Sequence, residues 1–273
     1  PSPHRVEPPC PYFGDCTGCQ WQHVAYSSQL DAKRDRVVDA LRRVGRFADP
    51  PVAAVVPSVH QYGYRNHARF TVGRGGALGF VNRETGQFVG IDHCGLMHQE
   101  INRRLAQLQG SCGETTQLSI RAGRETGDFL VQPLLADPRI PIPTGQKSYA
   151  DSVGASSFRV SSPSFFQVNI DQAGEAVRAV RRCLGLSRGD VLLDAYAGVG
   201  TFAILLAPYV KKVIAVEESS AAVADARENA SGVDNVEFIL GRTEEVLRRL
   251  AEKPDAVVLD PPRAGCQPEA LRS

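Results

Sequence analysis

Three cysteines crowd into ten residues, Cys10-Pro-Tyr-Phe-Gly-Asp-Cys16-Thr-Gly-Cys19, and a fourth stands far downstream in Asp92-His93-Cys94-Gly95. Close thiolates at such spacing are metal ligands wherever the compartment keeps them reduced. Structural zinc more often takes two separated pairs, whereas three-plus-one spacing is common for iron–sulfur clusters. An iron–sulfur cluster on Cys10, Cys16 and Cys19, with Cys94 as the candidate fourth donor, is therefore expected. Zinc, with His93 or His98 as fourth ligand, stays open. Cys112 and Cys183 read as buried thiols.

A second group of residues could hold a nucleoside. In Asp194-Ala-Tyr196-Ala-Gly198-Val-Gly200-Thr-Phe-Ala203, two glycines let backbone approach a ligand between a strand and a helix. Glu217 follows at the end of the next apolar run, where a carboxylate can accept both ribose hydroxyls. Alone, this pattern also fits a dinucleotide site or a tight turn. Asp260-Pro-Pro-Arg263 closes a later apolar run and, beside a nucleoside site, points to methyl transfer from S-adenosylmethionine onto a base. Amino-methylating enzymes place an aromatic after Pro-Pro to stack the base, and Arg263 stands there instead. Ser164-Phe165-Phe166-Gln167-Val168-Asn169 offers an aromatic for base stacking and an amide for a base edge or the cofactor. It reads equally as a strand entering the core.

The elements that must position these groups fall in two grammars. A helical period runs over 27–47, with Ser27 or Ser28 available as cap and Gly45 ending it. Short β-like pieces at 69–73, 77–81, 88–91, 117–121 and 128–132 follow, interrupted by a helix at 99–108, as in an antiparallel sheet. From 170 onward, apolar runs at 191–195, 213–217, 236–240 and 256–260 alternate with helices at 170–184, 201–207, 220–230 and 244–252. That alternation predicts a doubly wound, Rossmann-like parallel sheet. The expected fold is thus α/β, an α+β cysteine domain over 1–163 preceding a methyltransferase domain over 164–273. The apolar run 256–260 would leave a sheet edge bare, so the chain is expected to be part of a longer protein.

Composition narrows the class. Lys and Arg number 31 against 30 Asp and Glu, for a net charge of +1. Any nucleic-acid contact must then use local positive charge rather than a global field. No apolar run approaches the ~18 residues of a membrane span, and the cysteine usage fits a cytoplasmic protein.

Taken together, these motifs resemble the uracil-C5 RNA methyltransferases that form 5-methyluridine, in particular their iron–sulfur branch. The resemblance rests on the four cysteines, Tyr64-Arg65-Asn66, Phe165-Phe-Gln167-Val-Asn169, the loop 194–201, Glu217 and Asp260-Pro-Pro-Arg263-Ala-Gly265. It implies S-adenosylmethionine contacts at Gln167, Tyr196, Gly198, Gly200, Glu217 and Asp260. It places Tyr64, Arg65, Phe165 and Arg263 at a structured RNA, 23S ribosomal RNA in preference to transfer RNA, with the target uracil near Phe165. A monomer is favoured. Ala197 departs from the family, which often has Cys there. The family's N-terminal TRAM domain is expected outside this sequence, and its C-terminal segment is expected beyond Ser273. That segment carries a nucleophilic Cys in Ser-Cys-Asn-Pro and a glutamate base, so no catalytic residue is assigned up to Ser273. Two other classes stay open: an RNA-binding protein without the nucleophile, and an RNA amino-methyltransferase.

Overall fold

The computed structural model describes residues 2–272. Pro1 and Ser273, the outer limits of the two expected domains, lie outside the described residues. The expected nucleophile and base lie outside the described residues. Helix α1 (Tyr26–Arg43) comes first and has no buried residue. It starts one residue before the expected helix and uses neither serine as a cap. Ala25 precedes it without a side-chain bond, and the Ser28 hydroxyl instead meets His4 Nδ1 at 2.9 Å. It also stops four residues short of 47, because Arg46 takes a positive φ of 60° and turns the chain.

Five antiparallel strands build the first sheet: β1 (His67–Val72), β2 (Leu78–Val81), β3 (Phe88–Gly90), β4 (Gln117–Ala122) and β5 (Phe129–Gln132), in the order β3-β2-β1-β4-β5. The central pair is registered Phe70 opposite Leu118 and Ala68 opposite Ile120. These four side chains are buried on one face. Helix α2 (Gln99–Leu108) covers that face with Ile101, Leu105 and Leu108, spaced i, i+4, i+7 and all fully buried.

A hairpin of β6 (Ser148–Val153) and β7 (Ser156–Ser161) turns at Gly154, whose φ is +60°. Its inward residues Tyr149, Val153, Phe158 and Val160 share a core with Ile170, Val199, Ile204 and Ala222 of the following half. The hairpin thus joins two layers that the sequence places on either side of residue 163.

The second sheet is wholly parallel, β10-β9-β8-β11, from β8 (Val191–Asp194), β9 (Lys212–Glu217), β10 (Val236–Leu240) and β11 (Ala256–Val258). Helices α3 (Ile170–Leu184), α4 (Thr201–Leu206), α5 (Ser220–Asn229), α6 (Thr243–Leu247) and α7 (Pro268–Arg272) accompany it. Strands β8 and β9 are central and nearly all buried, which is why they read as continuous apolar runs. Helix α6 ends well before the expected 252; Arg249 and Leu250 continue only as turns bonded to Val246 and Leu247. No helix among the described residues is long and apolar enough to cross a membrane.

Candidate active site and cysteine cavity

The strand order reverses between β8 and its two neighbours, β9 on one side and β11 on the other. Ligands of open α/β sheets lie at the carboxyl ends of the strands beside such a reversal. Asp194 ends β8, Glu217 ends β9, and Asp260 follows β11. The loop after β8 is shaped by Gly198 (φ +55°) and Gly200 (φ +89°). A side chain at Gly200 would strike Ile204 Cδ1 at 2.9 Å and the Phe238 ring at 3.2 Å, so packing as well as backbone requires glycine there. Glu217 holds the loop directly. Its Oε2 accepts from Gly198 N at 2.9 Å and its Oε1 from Ser219 N at 2.8 Å.

Asp194 stands in the glycine motif without a role that residue type alone assigns, and it is the most perturbed carboxyl group of the site. It is fully buried, and Oδ2 accepts from Ala203 N at 3.0 Å while Oδ1 has no hydrogen-bond partner among the described residues. Burial pushes its pKa up to about 7, with the negative charges of Asp260 and Glu217 adding to the shift. Three carboxyl groups therefore converge on one loop in a nearly neutral chain. That set of acceptors suits a ligand carrying positive charge and ribose hydroxyls. Tyr196 lies beside it; burial raises its hydroxyl pKa, as does a hydrogen bond shared with Cys266.

Two sequence motifs are clamped together at the seam of the halves. Asn66 N donates to Val168 O at 3.2 Å, and Asn66 Nδ2 donates to Gln167 O at 3.0 Å. Arg65 forms a bridge with Asn169 on one side and with Met97 on the other. The segment so held splits its aromatics: Phe166 is buried against Phe158 at 5.7 Å between ring centroids, whereas Phe165 is 67% exposed. Tyr64, Arg65 and Gln167 are half-buried, and Asp260 and Arg263 are exposed. Two buried carboxylates that no periodicity marks also fix this region. Asp225 accepts from Ser161 N (2.8 Å), Ser161 Oγ (2.6 Å), Ser164 Oγ (2.6 Å) and the Arg159 guanidinium. Asp151 accepts from Asn66 and from Arg124 N.

Cys10, Cys16, Cys19 and Cys94 line one cavity of about 320 Å³, with Arg65, Arg69 and Phe80 among its walls. None is in a disulfide. Burial raises the Cys19 and Cys94 thiols, and Cys10 as a neighbouring negative group raises both further. Among the described residues, no three His, Cys, Asp or Glu stand close enough to hold a single metal ion. Of the histidines considered as zinc ligands, His93 lines the cavity, while His98 Nδ1 accepts from Glu100 N at 3.4 Å to cap α2. A multi-iron cluster spans more space than one ion and needs its thiolates farther apart, around a cavity.

The family model for tRNA (uracil-5-)-methyltransferases matches residues 153–272. An uncharacterized RNA methyltransferase of Nostoc sp. is 32% identical over 100% of this chain and 72% of its own length. One from Synechocystis sp. is 30% identical over 100% of this chain and 71% of its own. Among solved structures, the tRNA (uracil-54, C5)-methyltransferase of Pyrococcus abyssi, bound to S-adenosyl-L-homocysteine, superposes with a TM-score of 0.74. It is 25% identical and covers 99% of this chain and 73% of that one. The chain belongs to the uracil-5 RNA methyltransferase family.

Proposed function

We propose that the protein transfers the methyl group of S-adenosylmethionine to C5 of a uridine in RNA. The observation that carries this is the convergence of Asp194, Glu217 and Asp260 on the Gly198–Gly200 loop. Glu217 would accept ribose hydroxyls, the carboxyl groups favour the cationic end of the cofactor, and Gln167 and Tyr196 are proposed as further cofactor contacts. S-adenosylmethionine supplies an electrophilic methyl group on a sulfonium. Phe165, which is exposed, is the residue we assign to stack on the target uracil, and Arg263 the one we assign to its phosphate.

Uracil C5 is a weak nucleophile until a thiolate adds to C6, and a base must later remove the C5 proton. Cys266 is the thiol beside the Tyr196 hydroxyl, but it sits in the Asp-Pro-Pro-Arg loop and does not match the family's nucleophile motif. We therefore assign neither the nucleophile nor the base to a described residue, and infer that residues 1–273 bind the cofactor without turning over. Formation of 5-methyluridine by them would assign Cys266 the nucleophilic role.

The cysteine cavity is proposed to hold a four-iron, four-sulfur cluster on Cys10, Cys16, Cys19 and Cys94. Four thiolates would close its coordination, so its role is to staple residues 10–19 to residue 94 and stiffen an RNA-recognition unit over 1–163. Residues 164–273 then form the cofactor-binding unit, with the hairpin packed between. The four-cysteine set favours 23S ribosomal RNA over the transfer RNA named for the Pyrococcus relative. Nucleoside mass spectrometry of ribosomal and transfer RNA, each from cells with and without the gene, tests both points. Loss of 5-methyluridine from ribosomal RNA is the expected result. Loss from transfer RNA alone moves the substrate, and loss of a methylated adenine or guanine instead overturns the reaction.

A further inference from the structure

Below α1 lies a second cavity, of about 420 Å³, separated from the cysteine cavity by Cys19, Gln22 and Arg65, which line both. Its volume lies in the range of small-ligand sites. Three elements meet there: the first half of α1, the strip 55–65, and the start of α3 at Asn169 and Gln172. Its aromatic walls are Trp21, Tyr26, Tyr62 and Tyr64, and Lys33 stands at its rim on the exposed side of α1. Arg65 Nε, Gln22 Oε1 and Gln172 Oε1 are buried without a hydrogen-bond partner among the described residues. Proteins rarely leave such groups unsatisfied, so orphaned atoms gathered in the walls of one cavity call for a ligand or water that completes them. The Gln172 orientation is fixed, because its Nε2 donates to Val56 O at 3.2 Å and leaves the oxygen as acceptor.

We propose that this cavity receives one unstacked, amino-bearing nucleotide of the RNA substrate, close to the target uridine. The inference rests on the RNA-methyltransferase reading and adds a second anchoring site to it. Aromatic walls stack any base, but the orphaned set is selective. Two glutamine oxygens accept from an exocyclic amine, and Arg65 Nε donates to a ring nitrogen or carbonyl. Adenine and cytosine offer that pattern, whereas uracil has no amine to give. Lys33 supplies a cation for the phosphate. The cavity also lies near Phe165, the residue assigned above to stack on the target uracil. Asn169, in its wall, is four residues from Phe165, at most about 14 Å along an extended chain.

Trp21 is the one tryptophan of the 273 residues, so its emission reports on this cavity alone. Single-stranded eight-nucleotide oligomers of A, C and U are titrated while Trp21 emission and the anisotropy of labelled oligomer are followed. Oligo(A) and oligo(C) should change the emission saturably and bind at least 5-fold tighter than oligo(U). Tyr62→Ala should weaken binding about 10-fold through lost stacking. Lys33→Ala should weaken it about 3-fold at low salt, with a shallower salt dependence. Both variants should keep the parent's affinity for S-adenosylmethionine, measured by calorimetry, which also certifies their folding; Lys33 is exposed and its loss leaves no buried gap. RNA bound with silent Trp21 emission, or with full affinity in both variants, overturns the cavity while the RNA reading stands. Equal affinity for oligo(U) overturns the amino-base selectivity. Failure of every oligomer and of ribosomal RNA to bind defeats the RNA reading itself, and the proposal with it.

Discussion

Asn66 Nδ2 donates to Asp151 Oδ2 at 2.9 Å across the seam between the first sheet and the hairpin, with Asn66 1% and Asp151 0% exposed. The same amide nitrogen donates to Gln167 O, so one side chain ties the sheet, the hairpin and the segment carrying Phe165. Burial raises the pKa of Asp151, and the amide of Asn66 is the largest influence holding it down. Replacing Asn66 with Ala strips a buried carboxyl group of that donor. The expected cost is about 2–3 kcal/mol in urea unfolding. Asn66→Asp should be worse, since it sets two carboxyl groups against each other.

Glu217 offers a sharper test of the cofactor site. Its two oxygens already hold Gly198 N and Ser219 N, so the carboxylate is oriented before any ligand arrives. Removing it should cost the ribose bonds and loosen the loop together. Glu217→Ala is expected to weaken S-adenosylmethionine binding by roughly 10- to 100-fold, equivalent to about 1.5–3 kcal/mol for hydrogen bonds to a charged group. Glu217→Gln, which keeps the shape and loses the charge, should fall between. Calorimetry on the three proteins checks the order.

The sequence made the second sheet legible because β8 and β9 are buried on both faces and carry no polar interruption before Asp194 and Glu217. Their carboxyl ends, and with them the cofactor loop, could be located from the apolar runs alone. The hairpin 148–161 escaped because its alternation is broken by Asp151, a charged residue at an inward position made tolerable by Asn66 and Arg124 N. Asp225 was invisible for the same reason: its partners Arg159, Ser161 and Ser164 lie more than sixty residues away. The four cysteines were conspicuous, yet only folding shows that Cys94 meets the other three across one cavity. The serine cap of α1 was expected from residue type, but tertiary contact drew Ser28 to His4 instead.

Metal content separates the two readings of the cysteine cavity. Protein purified without oxygen should carry iron and sulfide in equal amounts, and Cys19→Ala should lose both. Because the cluster would join residues 10–19 to residue 94, that variant should also lose stability in the first sheet while retaining affinity for S-adenosylmethionine. Elemental analysis that finds stoichiometric zinc and no iron identifies the wrong metal. Unchanged stability and RNA affinity after loss of iron would remove the structural role.

The pH dependence of the cofactor site follows from Asp194. Its pKa rises from an ordinary 3.8 in the unfolded chain to about 7 in the fold, through burial first and through Asp260 and Glu217 next. Between those values the folded state holds a proton that the unfolded state has released. Its contribution to stability is therefore complete below about pH 4 and is lost as pH rises toward 7, with a slope approaching about 1.4 kcal/mol per pH unit. Above 7 both states are ionised and the slope vanishes. A sulfonium placed near the three carboxyl groups favours ionised Asp194, so S-adenosylmethionine affinity should move the other way, tightening as pH climbs from 5 to 7 and levelling beyond. Asp194→Asn, which cannot ionise, should flatten both curves. Denaturant midpoints and calorimetric affinities at half-unit pH intervals measure them, and a variant whose two curves still match the parent's would show that another group titrates.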